Sequence, residues 1–303
     1  MSTQTSDSTP LTMRAGELAA TVEGGRLLSV TSLRHRGDEL LVRPEVLPRS
    51  YTVHGIRAGI TLLHPWANRL GSERFVVAGG VVDAGTDPAV GRDPAGLPIH
   101  GRAPAGAWTP VPAADNAGCH AVARFAAVPA FPWAHDVEVE VALSPPACLV
   151  IATTVRCLAR DAVPVAFGWH PYFRLPGAER PSWRLALPTR SHLQLDAHGI
   201  PTGASTDAPA EDEPLGRRTF DDGYEGLRPG ACLAVADGER RVAVRLDAGF
   251  PCAQVFAPGD ADVVSLEPMT APADALRSGR GLCWATPETP YAARFTVEVG
   301  DAP

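Results

Sequence analysis

No stretch of the 303-residue chain approaches about eighteen consecutive apolar residues, so none reads as a membrane-spanning helix. The opening Met1 to Pro10 is rich in Ser and Thr and lacks a basic region followed by an apolar one. No secretory leader is expected there, and the protein is read as soluble and cytoplasmic. A basic surplus is missing as well. With 27 Lys and Arg against 34 Asp and Glu the formal charge is −7, which leaves no footprint for neutralising phosphate backbones and excludes nucleic acid as an expected partner. The six cysteines form no C-x-x-C pair, and a chain of this length with 45% hydrophobic residues needs no disulfide staples, so they read as reduced thiols.

The signatures of several enzyme classes are absent too. The nine histidines include no H-x-H and no H-E-x-x-H, so no metal is expected. Without G-x-G-x-x-G or a P-loop, no nucleotide cofactor is expected, and the missing G-x-S-x-G speaks against a serine hydrolase. Long helices are excluded by punctuation: 30 prolines and 29 glycines interrupt the chain every few residues.

What remains favours short strands. Asp136–Leu143 alternates Val137, Val139 and Val141 with Glu138 and Glu140, the period of two of a half-buried strand. Asp237-Gly238 and Gly24-Gly25 each lie between apolar runs and predict hairpins, and Phe295–Val299 predicts a last strand. Only Pro272–Arg277 reads as helix, and Ala204–Glu213, rich in Asp, Pro, Ala and Ser, reads as a surface loop. The pattern predicts an all-β sandwich or barrel, one domain over residues 13–303 behind a disordered tail of residues 1–12.

Three places set chemistry at strand ends or turns. An apolar strand runs from Val163 into His170, which Pro171 holds extended, with Trp169, Tyr172 and Phe173 as aromatic surface for a sugar. A placed imidazole is a proton donor near neutral pH. The β-branched run after Asp262 closes on Glu267 before Pro268, and burial of a carboxylate there would raise its pKa toward that of a general base. Asn68 and Arg69 offer several donors for hydroxyls, while His100-Gly101 combines an imidazole with a residue that lets the backbone approach a ligand. Taken singly, each has a bland counterpart: a structural histidine, a solvated glutamate, a surface Asn-Arg.

In order, Pro65-Trp66-Ala67-Asn68-Arg69, Ile99-His100-Gly101 with Trp108, Gly168-Trp169-His170-Pro171-Tyr172-Phe173 and Leu266-Glu267-Pro268-Met269-Thr270 resemble the galactose mutarotase (aldose 1-epimerase) family. Phe220-Asp221-Asp222-Gly223-Tyr224 is similar to its substrate-binding aspartate segment, Gln254-Val255-Phe256 to its late glutamine, and Thr286 to Tyr291 to its closing turn. The resemblance covers about residues 15 to 300. It implies a β-supersandwich of mostly antiparallel strands with the sugar across a concave sheet, and a cofactor-free isomerase that interconverts anomers. It also implies Glu267 as general base at the anomeric hydroxyl, His170 as general acid at the ring oxygen and His100 as a second histidine there. Asn68, Arg69, Asp221, Gln254 and Trp169 would bind the sugar. The adjacent Asp221 and Asp222, where many relatives have Asp-His, leave open which one faces the ligand, and Gly91–Gly106 is unusually rich in Pro and Ala.

Two other readings compete. A phosphosugar epimerase of the same superfamily would need cations near a C6 phosphate, for which Arg102 and Arg74 are candidates. A carbohydrate-binding protein would need no acid and base at all. A glycosidase fits less well, because only one carboxylate stands out where most need a pair. The sequence does not fix the sugar or the oligomeric state.

Overall fold

Residues 9–44, 47, 58–104 and 107–302 are described by a computed structural model, built from an 11-stranded and a 9-stranded antiparallel sheet with three small two-stranded ribbons beside them. Alternation decides which side chains enter the layer between the large sheets. In His135–Ser144, one residue longer at each end than expected, Val137, Val139 and Val141 are buried while Glu138 and Glu140 face outward. Trp169 of the larger sheet donates its indole N–H to Thr153 of the smaller one at 3.1 Å and packs on Phe295. One contiguous set of buried side chains runs from Met13 to Val299, each large apolar member contributing about 1.5–3 kcal/mol by leaving water. All-β architecture is therefore what forms.

Local signals held at several turns. Asp237 joins Ala231–Ala236 to Arg240–Ala248 and accepts the N–H groups of Glu239 and Arg240, at 2.8 and 2.7 Å. Gly24 and Gly25 join Leu18–Glu23 to Ser29–His35, and Gly25 pairs with the main chain of Trp108. The short helix is a single turn, Ala275–Ser278. The last strand, Tyr291–Asp301, is longer than expected and lies inside the smaller sheet, between Cys148–Cys157 and Arg240–Ala248.

Two expectations are corrected. Ala204–Glu213 is not a loop: it falls in strands Pro201–Ala208 and Glu211–Pro214, which close the edges of the two sheets. An edge strand needs main-chain pairing on one side only, and most of these side chains are exposed, so a polar, proline-bearing composition is no barrier. The expected tail is also shorter. Leu11–Ala15 is a strand whose Leu11 and Thr12 pair with Val22 and Thr21, while residues 1–8 lie outside the described residues. Among the described residues no helix is long and apolar enough to cross a membrane.

Candidate active site

Sheet register builds the floor of a cleft. Strands Gly168–Phe173 and Val264–Met269 pair Tyr172 with Ser265 and Gly168 with Met269, a single register that sets His170 opposite Glu267. Pro171 and Pro268, which have no N–H, interrupt the ladder between those pairs. Glu267 is opposite Gln254, Gln254 opposite Gly223, and His170 opposite Thr61. One transverse row therefore reads Thr61, His170, Glu267, Gln254, Gly223. Two residues along, the next row on the same face reads Tyr172, Ser265, Phe256, Asp221. His170, Tyr172, Glu267, Gln254, Phe256 and Asp221 line the cleft, which encloses about 270 Å³ and so suits one small ring system.

The segment around Asn68 and the short strand Pro98–Arg102 make the walls. His100 donates its main-chain N–H to the Asn68 carbonyl at 3.1 Å, and Asn68 returns its own N–H to Nδ1 of His100 at 3.2 Å. Both residues sit at φ 57°, a left-handed conformation costing roughly 1–3 kcal/mol for a residue with a side chain, and this reciprocal pair offsets it. Asn68 Oδ1 accepts the Arg69 N–H at 2.7 Å. The Arg69 guanidinium donates to Asp93 at 2.9 Å and lies 3.8 Å from Asp221, whose other oxygen accepts from Gln254 at 2.8 Å. Asp93, buried, also accepts the N–H groups of Ala95 and Leu97.

Of the residues singled out in the sequence, Glu267, His170, His100, Asn68, Arg69, Asp221 and Gln254 meet in this cleft. Asp221 faces it, whereas its neighbour Asp222 turns away to His192, 2.9 Å from Nε2. Trp169 does not belong to it. As the neighbour of His170 on a strand it points to the opposite face, into the core, and it is fully buried there. Phe173 is likewise core. Gly101, at φ 70°, serves the chain rather than a ligand, because a Cβ there would lie 2.1 Å from the His64 carbonyl oxygen. Arg102 is held by Asp87 at 2.6 Å and Arg74 lies on an exposed ribbon, and neither lines the cleft. Trp108 is buried against Phe125.

The sequence reading missed Asp93, Phe256 and Ser265. Period-two counting back from Glu267 finds Ser265, and the Asp93-Pro94-Ala95-Gly96 turn marks Asp93 as a residue that accepts main-chain hydrogens. Phe256 had only its place two residues beyond Gln254.

Burial governs the electrostatics. Glu267 is 2% exposed; its Oε1 lies 3.2 Å from His170 Nε2 and its Oε2 has no partner among the described residues. Desolvation, then the charge of Asp221, pushes its pKa well above the usual carboxylate range, against a smaller pull from Arg69. Desolvation lowers the His170 pKa to about 3. Both charged forms being disfavoured, the pair rests as a neutral acid and a neutral imidazole that share one proton. Tyr172 stacks on the His170 ring with centroids 4.2 Å apart, and His100 meets its edge at 5.3 Å. Among the described residues no group of three or more His, Cys, Asp or Glu is arranged to hold a metal ion.

A model of the aldose 1-epimerase family matches residues 11–297. No curated protein matches the chain. Among solved structures, a galactose mutarotase-like protein from Clostridium acetobutylicum is 17% identical, with a TM-score of 0.78 over 96% of this chain and 95% of the other. A galactose mutarotase related enzyme from Lactobacillus acidophilus is 17% identical at a TM-score of 0.78, covering 97% and 98%. A GalM/aldose epimerase homologue from C. elegans is 14% identical at 0.77, covering 97% and 99%. At these identities the likeness is one of fold.

Proposed function

The chain belongs to the aldose 1-epimerase family, and from that premise we propose that it interconverts the α and β anomers of a free hexose by acid–base opening and closing of the ring. The observation that carries this reading is the buried, unpartnered Oε2 of Glu267 in the cleft beside His170 Nε2. Such an oxygen needs a hydrogen donor, and the anomeric hydroxyl supplies one.

The proton count of the pair suits the reaction. With the shared proton moved onto His170 Nε2, the ring is an imidazolium and Glu267 a carboxylate that takes the hydrogen of O1 while His170 Nε2–H protonates the ring oxygen and the C1–O5 bond breaks. The open aldehyde rotates about C1–C2, and the same transfers run backwards on closure, so no proton is gained or lost overall. Each placed group is worth about 10²–10⁴ in rate.

His100 takes the orienting role. Its Nδ1 accepts the Asn68 N–H, so its ring hydrogen is on Nε2. That hydrogen can be donated in a hydrogen bond, but giving it up would leave an imidazole with no proton. Arg69, Asp221 and Gln254 then hold hydroxyl groups.

Charge favours an unphosphorylated sugar. Among the described lining residues Arg69 is the one Lys or Arg, it is engaged by Asp93, and Asp93, Asp221 and Glu267 are all acidic. A C6 phosphate would meet the carboxylates of Asp93 and Asp221 without a spare cation.

The test is anomer exchange on freshly dissolved α-glucose, α-galactose and glucose 6-phosphate, followed by polarimetry or NMR. Exchange of at least one free sugar well above the spontaneous rate, with the phosphosugar slower, is expected. Binding without acceleration would instead support a carbohydrate-binding protein.

A further inference from the structure

Two residues before Glu267 on the same strand, Ser265 is fully buried, in contact with the imidazole and outside the residues that line the cleft. Its hydroxyl oxygen lies 2.6 Å from the carbonyl oxygen of Pro171 and 2.9 Å from His170 Nδ1. Two bare oxygens do not approach to 2.6 Å, so the single hydroxyl hydrogen must lie between Ser265 and Pro171. The serine oxygen is then free only to accept from the ring.

We infer that Ser265 is a positioning residue that fixes the hydrogen of His170 on Nδ1 and so keeps Nε2, the nitrogen beside Glu267, as the one that gains and loses the catalytic proton. The Pro171 carbonyl is available for this duty because of the chain's own chemistry. Pro171 itself and Pro268, which the register sets opposite Trp169, bring no N–H to the ladder, so inter-strand pairing is locally thinned and a side-chain hydroxyl takes part in its place. Tyr172 adds the second constraint, stacking flat on the imidazole at an interplanar angle of 20° and holding its plane while Ser265 holds its hydrogen.

The alternative tautomer shows what the serine prevents. With hydrogen on Nε2 and none on Nδ1, the neutral ring could still donate a hydrogen bond toward the cleft. It could not pass a proton to the ring oxygen and return to a stable neutral state, because a bare Nδ1 would leave it as an imidazolate. With Nδ1–H fixed, the cycle balances. Nε2 loses its proton to O5 as the C1–O5 bond breaks, keeps the lone pair, and recovers the proton from O5–H on closure. His100 is set oppositely by the main chain of Asn68, which directs hydrogen at its Nδ1. The two imidazoles are thus held in opposite tautomers by unlike partners, one a buried hydroxyl and the other a main-chain amide.

This inference rests on the anomer-exchange reading for its catalytic consequence, but its structural half can be read without any sugar. Two-bond proton–nitrogen NMR correlations on histidine-labelled protein, with the His170 signals identified by their loss in His170→Asn, report which ring nitrogen carries hydrogen. A protonated Nδ1 in the wild type is expected, and a bare Nδ1 overturns the proposal whatever the enzyme does. Ser265→Ala should lose that pattern and lower kcat by about 10–100-fold, the usual scale for removing a partner that orients a histidine, with KM within about threefold. Ser265→Thr, which keeps the hydroxyl, should restore the pattern and most of kcat. A folded Ser265→Ala with wild-type kcat refutes the role of Ser265 alone. Absence of any anomer exchange by the wild type refutes the functional reading and leaves the NMR result to stand or fall by itself.

Discussion

Replacing Glu267 with Gln tests the base with little disturbance to its surroundings. The side chain is enclosed, and its Oε1 faces the acceptor Nε2 of His170 across 3.2 Å. An amide fits that environment: its NH₂ donates to Nε2 and its carbonyl oxygen takes the position of Oε2, still able to accept a hydrogen bond from O1. What it cannot do is take the proton. Ground-state binding is therefore retained while the transition state loses one acid–base group, so kcat should fall by about 10²–10⁴-fold, roughly 3–5 kcal/mol of barrier, with KM nearly unchanged. Because the resting pair is neutral, the swap buries no new charge, and stability should change by less than about 1 kcal/mol, a few degrees in Tm for a chain this size. The assay is NMR exchange between the anomers of the best sugar found, with a thermal melt as the control for folding. Activity within a few-fold of wild type in a folded variant would remove Glu267 from the mechanism.

Three further outcomes are expected. His170→Asn should lower kcat strongly, whereas His100→Asn should keep more of kcat and raise KM; the reverse ordering, read from initial rates over a range of sugar concentrations, would exchange their roles. The pH profile of kcat/KM should show no inflection at the ordinary histidine value, because burial holds His170 down near pH 3 while it raises Glu267; an inflection there would contradict the shared-proton pair. His135, buried beside His64, has its pKa lowered to about 4 by desolvation, so the stability it lends is full above about pH 6.5, where the unfolded chain is also neutral, and is lost as pH falls toward 4. That amounts to roughly 3 kcal/mol, visible as a fall in urea midpoint that His135→Gln should lessen.

The site was legible in the sequence as far as short motifs reach. A proline after His170 and another after Glu267 marked both as held residues, and strand periodicity already separated His170 from Trp169. Applied strictly, that alternation would have withdrawn Trp169 as a sugar contact, since adjacent strand residues cannot share a face. Asp221 and Asp222 were undecidable for a related reason: which of two neighbours faces a ligand depends on register with Gln254, and register is a property of two strands rather than one. The polar segment from Ala204 misled because composition reports side-chain burial, and edge strands form without it. Arg102 drew notice for its place after Gly101, and only three-dimensional proximity reveals that Asp87 already holds it.

The placement of Tyr291–Asp301 inside the smaller sheet has a consequence for how the protein is born. Its neighbours, Cys148–Cys157 and Arg240–Ala248, emerge from the ribosome well before it, and until it arrives each lacks a partner along one edge. The other sheet waits on distance too, with His170 and Ser265 lying 95 residues apart in the chain. A nascent chain that has just exposed Glu267 therefore owns every side chain of the cleft and still lacks the strand that joins the two halves of the layer against which the floor is pressed. Such late, long-range closure is slow. It defers the backing of the cleft floor until Tyr291–Asp301 has been made and has paired on both of its edges.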